Sequence, residues 1–239
     1  MVDLHTHILP GIDDGSKNIA QTMELFKEAK QAGFNKIVLT SHYMENLCTV
    51  NEQEREKIKN IIETKLGINQ MGIELYLGSE IYYSTDMVNE IKNNNASTIN
   101  KTRYVLFELP MNTEILDIYE IIYSMQSNRL IPILAHPERY ICVQKNVNMV
   151  GELVEKGVLM QSNYGSILGV YGKEPQKVIK YLLKNNLIHF LGSDVHMPKT
   201  IYPKIEKAIK KIEKIIGKEK FKELSTINPN KVLNNQDIV

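Results

Sequence analysis

Short runs rich in Ile, Val, Leu and Tyr alternate along the chain with longer stretches whose apolar residues recur at helical spacing. The short runs predict strands over residues 1–7, 36–42, 73–82, 104–110, 130–136, 157–163 and 187–194. Helical periodicity predicts helices over 19–32, 52–66, 114–127, 148–156 and 175–184, and Gly33 and Gly67 stand where the first two should stop. A strand–helix alternation implies parallel pairing, because parallel neighbours need a crossover connection. Seven such strands can form an open doubly wound sheet or a closed barrel.

The polar residues choose between these. Each strand is apolar along its middle and ends in a group able to bind metal or to hydrogen-bond: His5 and His7, His42, Glu80, Glu108, His136, Asn163, and Asp194 with His196. A barrel gathers its strand ends at a common mouth, whereas an open sheet spreads them along a line. The expectation is therefore an α/β barrel.

Composition narrows the class. The 239 residues are 43% apolar and 24% charged, enough to bury a sizeable core. With no repeat or low-complexity linker, residues 1–239 read as one domain. Lys and Arg number 29 against 28 Asp and Glu, which argues against a nucleic-acid binder. No apolar run approaches the roughly 20 residues of a membrane span, and no leader segment is visible. Two cysteines, Cys48 and Cys142, are too few for a disulfide framework and point to a cytoplasmic protein.

Five of the six histidines occupy strand ends, and His189, inside a strand, reads as structural. In His5-x-His7 the two imidazoles share a strand face, because side chains repeat with period two, and Asp194-x-His196 repeats that spacing with a carboxylate. Glu80 and Glu108 add carboxylates able to bridge two cations, and Asp13-Asp14-Gly15 follows as a turn. Mixed nitrogen and oxygen ligation without thiolate fits Mn²⁺, Fe or Zn. Such ions lower the pKa of water and neutralise the oxygens of a phosphate ester during hydrolysis.

The ordered motifs Asp3-Leu4-His5-Thr6-His7, Thr40-Ser41-His42, Glu80, Phe107-Glu108-Leu109-Pro110, His136-Pro137-Glu138-Arg139-Tyr140, Gln161-Ser162-Asn163 and Asp194-Val195-His196 resemble the polymerase-and-histidinol-phosphatase (PHP) superfamily. Within it the chain is similar to bacterial manganese-dependent tyrosine-protein phosphatases that accompany the tyrosine kinases of capsule and exopolysaccharide synthesis. The resemblance implies a distorted (β/α)7 barrel of the PHP type holding three Mn²⁺ ions. It places His5, His7, Glu80 and Asp194 on the first ion, Glu80, Glu108 and His136 on the second, and His42, His196 and Asp14 on the third. Arg139 falls on the phosphate-binding arginine, a role that suits a permanently charged fork. The implied partner is the phosphorylated, tyrosine-rich tail of a cognate kinase. A small-molecule phosphoesterase such as a histidinol phosphatase, and less so a PHP-type nuclease, would use the same metals.

Other features complete the expectation. Tyr43 and Tyr164 border motif residues and are expected beside a substrate ring. The family arginine that follows Asp-x-His is replaced here by Ile201, so Lys199 or Lys204 would have to supply that charge. Cys48 precedes Arg55 with six intervening residues rather than the five of a cysteine-phosphatase loop, so covalent thiol catalysis is not expected. A lysine-rich helical region covers about 203–225. Residues 199–222 hold nine Lys and three Glu, a local +6 that leaves the remainder at −5 against a whole-chain +1. Its isoleucine stripe predicts an amphipathic helix with a solvated lysine face.

Overall fold

In the computed structural model residues 1–112 and 118–238 are described. In chain order the elements are β1 (Val2–Asp3), α1 (Ile19–Gln31), β2 (Lys36–Leu39), β3 (His42–Tyr43), α2 (Glu52–Lys65), β4 (Glu74–Leu77), β5 (Glu80–Tyr82), α3 (Met87–Lys92) and β6 (Tyr104–Glu108). There follow α4 (Ile118–Ser127), β7 (Ile131–Ala135), α5 (Ile141–Lys145), α6 (Asn148–Glu155), β8 (Leu159–Asn163), α7 (Tyr164–Leu168), α8 (Lys173–Lys184), β9 (Phe190–Gly192), α9 (Ile205–Lys222) and α10 (Asn228–Leu233). Residues 114–117 of the expected helix 114–127 lie outside the described residues.

Among the described residues every ladder between the strands is parallel. They form a three-stranded sheet, β1-β2-β4, and a six-stranded one, β3-β5-β6-β7-β8-β9, so the seven expected strands are not one continuous ladder. Two expected strands each break in mid-run, at Thr40-Ser41 and at Gly78-Ser79, and resume in the larger sheet. At the far edge an isolated parallel bridge joins Thr6 to Val195. There the His7 N–H donates to the Val195 carbonyl at 3.0 Å and the Asp194 N–H to the His5 carbonyl at 2.9 Å.

Alternate strand residues fall into two apolar clusters, as period-two geometry requires. Ile37, Leu39, Ile81, Val105, Phe107, Leu134 and Leu191 pack with residues of the helices. Val2, Leu4, Val38, Tyr104, Leu106, Ile133 and Phe190 form a separate, smaller cluster with Val232 and Leu233 of α10. The C-terminal segment thus closes the end of the sheets opposite the histidines, where Lys36 Nζ donates to Asn230 Oδ1 at 2.9 Å and Tyr104 Oη to the Gln236 carbonyl at 2.6 Å.

Local chemistry sets the helix ends. Asn18 and Asn51 cap α1 and α2, accepting from the Gln21 and Glu54 N–H groups at 3.1 and 3.0 Å. The lysine-rich helix is α9, whose Ile205, Ala208 and Ile212 are buried; it breaks at Gly217, which adopts φ 79°.

Candidate metal centre

His5 and His7 lie just beyond β1 and are held by the bonds to Asp194 and Val195 described above. The His5 ring enters because Gly192 has no side chain: a Cβ there would stand 2.8 Å from His5 Cβ. Outer partners orient both rings. His5 Nδ1 donates to Gln161 Oε1 at 2.7 Å, and His7 Nδ1 to Asp13 Oδ2 at 2.8 Å, a tautomer assignment made from the acceptors. With Nδ1 protonated, each neutral ring turns an Nε2 lone pair inward. Those two atoms sit 3.1 Å apart, and Glu80 Oε2 lies 3.0 Å from the first and 3.2 Å from the second. Asp194 Oδ1 is 3.6 and 3.5 Å away.

Glu80 joins this group to a second. Its Oε2 is 3.2 Å from His42 Nδ1, which is 2.9 Å from Glu108 Oε1. His136 Nε2 stands 2.9 Å from Glu80 Oε1 and 3.8 Å from Glu108 Oε2. A third group combines His7, Asp14, His42 and His196, with Asp14 Oδ1 at 3.2 Å from His196 Nε2 and 3.6 Å from His42 Nε2. All nine expected ligand residues therefore converge. His189 does not: its Nδ1 accepts the Met160 N–H at 3.0 Å, and burial pushes its pKa down to about 4.

The donor set fits cations. Glu80 Oε2 and His42 Nδ1 are buried without a hydrogen-bond partner, although lone-pair atoms crowd around both. Inward lone pairs about 3 Å apart repel unless a proton or a metal ion lies between them. In the metal-free protein, protons take that place. Burial opposes charge on His5, yet Glu80 and Asp194 outweigh it and raise its pKa to about 9. His42 is buried too, but Glu80 and Glu108 lift it to about 10. Burial alone would raise the carboxylates; the imidazoles instead hold Glu80 and Asp194 well below the usual carboxylate range.

Beside this cluster stands Arg139. His136, at φ 34°, turns the chain into the short 3₁₀ helix Pro137–Arg139. Buried Glu138 anchors that turn by accepting the Asn163 N–H at 2.9 Å and the Ser166 hydroxyl at 2.6 Å. Arg139 Nη1 then donates to Asp194 Oδ2 at 2.8 Å, an oxygen that also accepts from Asn163 Nδ2 at 2.7 Å. Its guanidinium lies 4.6 Å from the Tyr171 ring centroid, a cation–π contact that supports its position.

A profile of the capsular polysaccharide synthesis family CpsB/CapC matches residues 1–234. The chain belongs to the CpsB/CapC family. It is 36% identical over 197 residues to a putative tyrosine-protein phosphatase CapC of Staphylococcus aureus, covering 82% of this chain and 77% of that protein. With the tyrosine-protein phosphatase YwqE of Bacillus subtilis it shares 30% identity over 243 residues, covering 100% and 93%. A solved structure from work on YwqE and Streptococcus pneumoniae CpsB, described as unique metal-dependent tyrosine phosphatases, superposes with a TM-score of 0.92 at 29% identity, covering 100% and 96%. The CpsB/CapC chain thus shares the α/β architecture of metal-dependent phosphatases.

Four expected substrate contacts lie elsewhere. Tyr43 points into the apolar layer beneath the helices, where its hydroxyl donates to Glu90 of α3. Tyr164 starts α7 and is fully buried, its ring 5.9 Å from that of Phe34, which leaves no face for a substrate. Lys199 is exposed and extends toward α1, with Nζ 3.1 Å from Glu24 Oε1. Lys204 lines an apolar crevice beside Tyr164, Ile201 and Ala208. Ile201 itself is a core residue, 5% exposed. Arg55 is fully buried, donating to the Gly78 carbonyl at 3.2 Å and to Ser97 Oγ at 3.0 Å; it braces the strand break before Glu80 and shares no phosphate loop with Cys48.

The residues that orient the rings were not among the expected ligands. Gln161 has no role predicted by its motif, and Asp13 reads as turn chemistry; Asn163, a polar strand end in the sequence, bonds Asp194, and Tyr171, which supports Arg139, carries no sequence signal.

Proposed function

We infer that this chain is a metal-dependent tyrosine-protein phosphatase of capsular polysaccharide synthesis. The observation that carries the reading is the sharing of Glu80 between two imidazole–carboxylate groups with an arginine at their rim. We further assign the two sheets to one distorted seven-stranded barrel within a single domain; the Thr6–Val195 bridge and the two separate apolar clusters support that closure.

His5, His7, Glu80 and Asp194 would hold one ion, Glu80, Glu108 and His136 a second, and Asp14, His42 and His196 a third, with Mn²⁺ as the ion. Bound divalent cations supply a water of lowered pKa and neutralise phosphate charge. The chain's own groups do the remainder. Asp13 and Gln161 hold the rings in register. Arg139 exchanges its bond to Asp194 for two phosphate oxygens and steadies the charge spreading over them as phosphorus is attacked. A tyrosine phenolate, with pKa about 10, leaves without strong protonation, so no general acid is assigned.

The substrate is the phosphorylated tyrosine-rich segment of a cognate capsule kinase, met in the cytoplasm. The location is supported by a cysteine count, Cys48 and Cys142, too small for a disulfide framework. The test compares turnover of a phosphotyrosyl peptide with that of histidinol phosphate, each with Mn²⁺ and with chelator. Faster turnover of histidinol phosphate would overturn the reading.

A further inference from the structure

The parallel register pairs His42 with Glu80 and Tyr43 with Ile81; one step further along the chain turns at Met44, which bridges to Cys48 and lines one cleft with Tyr82. Tyr43 and Ile81 are buried in the layer under the helices, so period-two alternation turns Tyr82 to the opposite face, the one carrying His42 and Glu80. Two residues along a strand advance roughly 6.6 Å, comparable to the reach of a phenyl ring from a phosphorus bonded to its oxygen. Tyr82 also pairs in register with Glu108, which keeps it over the ligand group. Beyond these residues opens a cleft of about 450 Å³ lined by Met44, Glu45, Asn46, Tyr82, Tyr83 and Ser84 among others.

We propose that Met44 and Tyr82 form the wall that receives the aromatic ring of a phosphotyrosyl substrate, with the flanking peptide lying in this cleft. The assignment rests on the phosphatase reading above and adds what distinguishes an aryl from an alkyl phosphate. A flexible thioether and a phenol ring, both partly exposed, offer a stacking surface while the phosphate is held at the imidazole–carboxylate cluster. An alkyl phosphate reaches the cluster equally well but leaves that surface wet. The single charged side chain of the cleft, Glu45, would disfavour an acidic residue next to the phosphotyrosine.

Steady-state kinetics of the Mn²⁺-loaded full chain test this on a phosphotyrosyl peptide, the matching phosphoseryl peptide and p-nitrophenyl phosphate, with orthophosphate as competitive inhibitor. Tyr82→Ala should raise KM for both aryl substrates about five- to tenfold, leave kcat within about twofold, and leave the orthophosphate inhibition constant unchanged. Tyr82→Phe should behave as the parent, and Met44→Ala should raise the aryl KM less. An unchanged aryl KM in Tyr82→Ala overturns the proposal. So does an equal weakening of orthophosphate, since Tyr82 would then act on the ligand cluster, or a Tyr82→Phe variant as poor as Tyr82→Ala. A parent enzyme that turns over the phosphoseryl peptide but neither aryl phosphate removes the phosphatase reading itself, and this assignment falls with it.

Discussion

Arg139 and Asp194 are joined at 2.8 Å, so the side chain expected to grip substrate phosphate is bonded to a carboxylate that also faces the imidazole cluster. The pairing holds the guanidinium aimed at the centre before substrate arrives, at the cost of a bond that phosphate must replace. Asp194 adopts φ 52°, a conformation uncommon for a residue with a side chain, and this brings its carboxylate within reach of both His5 and Arg139.

Replacing that arginine should therefore weaken phosphate binding more than it weakens the fold. Arg139→Ala should lower kcat/KM on a phosphotyrosyl peptide by tenfold or more, for a lost charge-assisted interaction worth about 1.5–3 kcal/mol. The orthophosphate inhibition constant should rise in parallel. Unchanged phosphate affinity would show that Arg139 serves only Asp194.

Glu80→Gln keeps the shape of the side chain and removes the charge shared by two ligand groups. Bound metal, measured by elemental analysis, should fall, and the stabilisation that Mn²⁺ gives in thermal unfolding should shrink. His136→Ala should lose activity by several orders of magnitude. Chelation should abolish activity in the parent and Mn²⁺ should restore it. Full activity in a chelated protein shown to be free of metal would contradict the whole assignment.

Metal affinity should rise with pH. His5 and His42, raised to about 9 and about 10, are protonated in the metal-free protein at neutral pH, and these protons must leave when an ion binds. Affinity should climb on the order of ten- to a hundredfold per pH unit below 9, for one or two displaced protons, as read by titration calorimetry in buffers of different ionisation enthalpy. The same shifts act on stability. Both folded values exceed the ordinary 6.5, so this stabilisation of the metal-free protein is fully present below about pH 6.5 and is lost as pH rises through 9 to 10. Denaturant unfolding in chelator should show that loss, and the Mn²⁺-loaded protein should not.

Ile201→Arg, which would install the arginine expected from the resemblance, should fail to improve KM. The Ile201 side chain packs against Gly165, where an added Cβ would stand 3.2 Å from Ile201 Cδ1, and it is buried with Tyr202 and Ile205. A charge forced into that layer should cost about 2–4 kcal/mol and lower Tm. A lower KM with unchanged Tm would show that the loop can present an arginine to substrate.

The convergence of these histidines and carboxylates was legible, Asp14 in its turn excepted, because each ends or follows an apolar strand, and strand ends are set by hydrophobic pattern. The breaks at Thr40-Ser41 and Gly78-Ser79 were not, since nothing in the pattern separates a strand from two collinear pieces of one. Tyr43 and Tyr164 were misplaced for a simple geometric reason. Both follow a motif residue by one position, and one step turns a side chain to the other face or into the next helix. Tyr82, two steps after Glu80, obeys the same period-two alternation as His5 and His7. The buried role of Arg55 depends on carbonyls and hydroxyls brought together by folding, which no local pattern encodes.

The Thr6–Val195 bridge has a consequence for the order of assembly. His5 and His7, just beyond the first strand, wait for partners roughly 190 residues downstream, a delay of roughly ten to forty seconds at the usual pace of translation. During that interval the Asp3–His7 segment can pair with β2 and Thr40 on one side but lacks Val195 on the other and its carboxylate partner Asp194, so the phosphatase centre is completed only after most of the chain has left the ribosome.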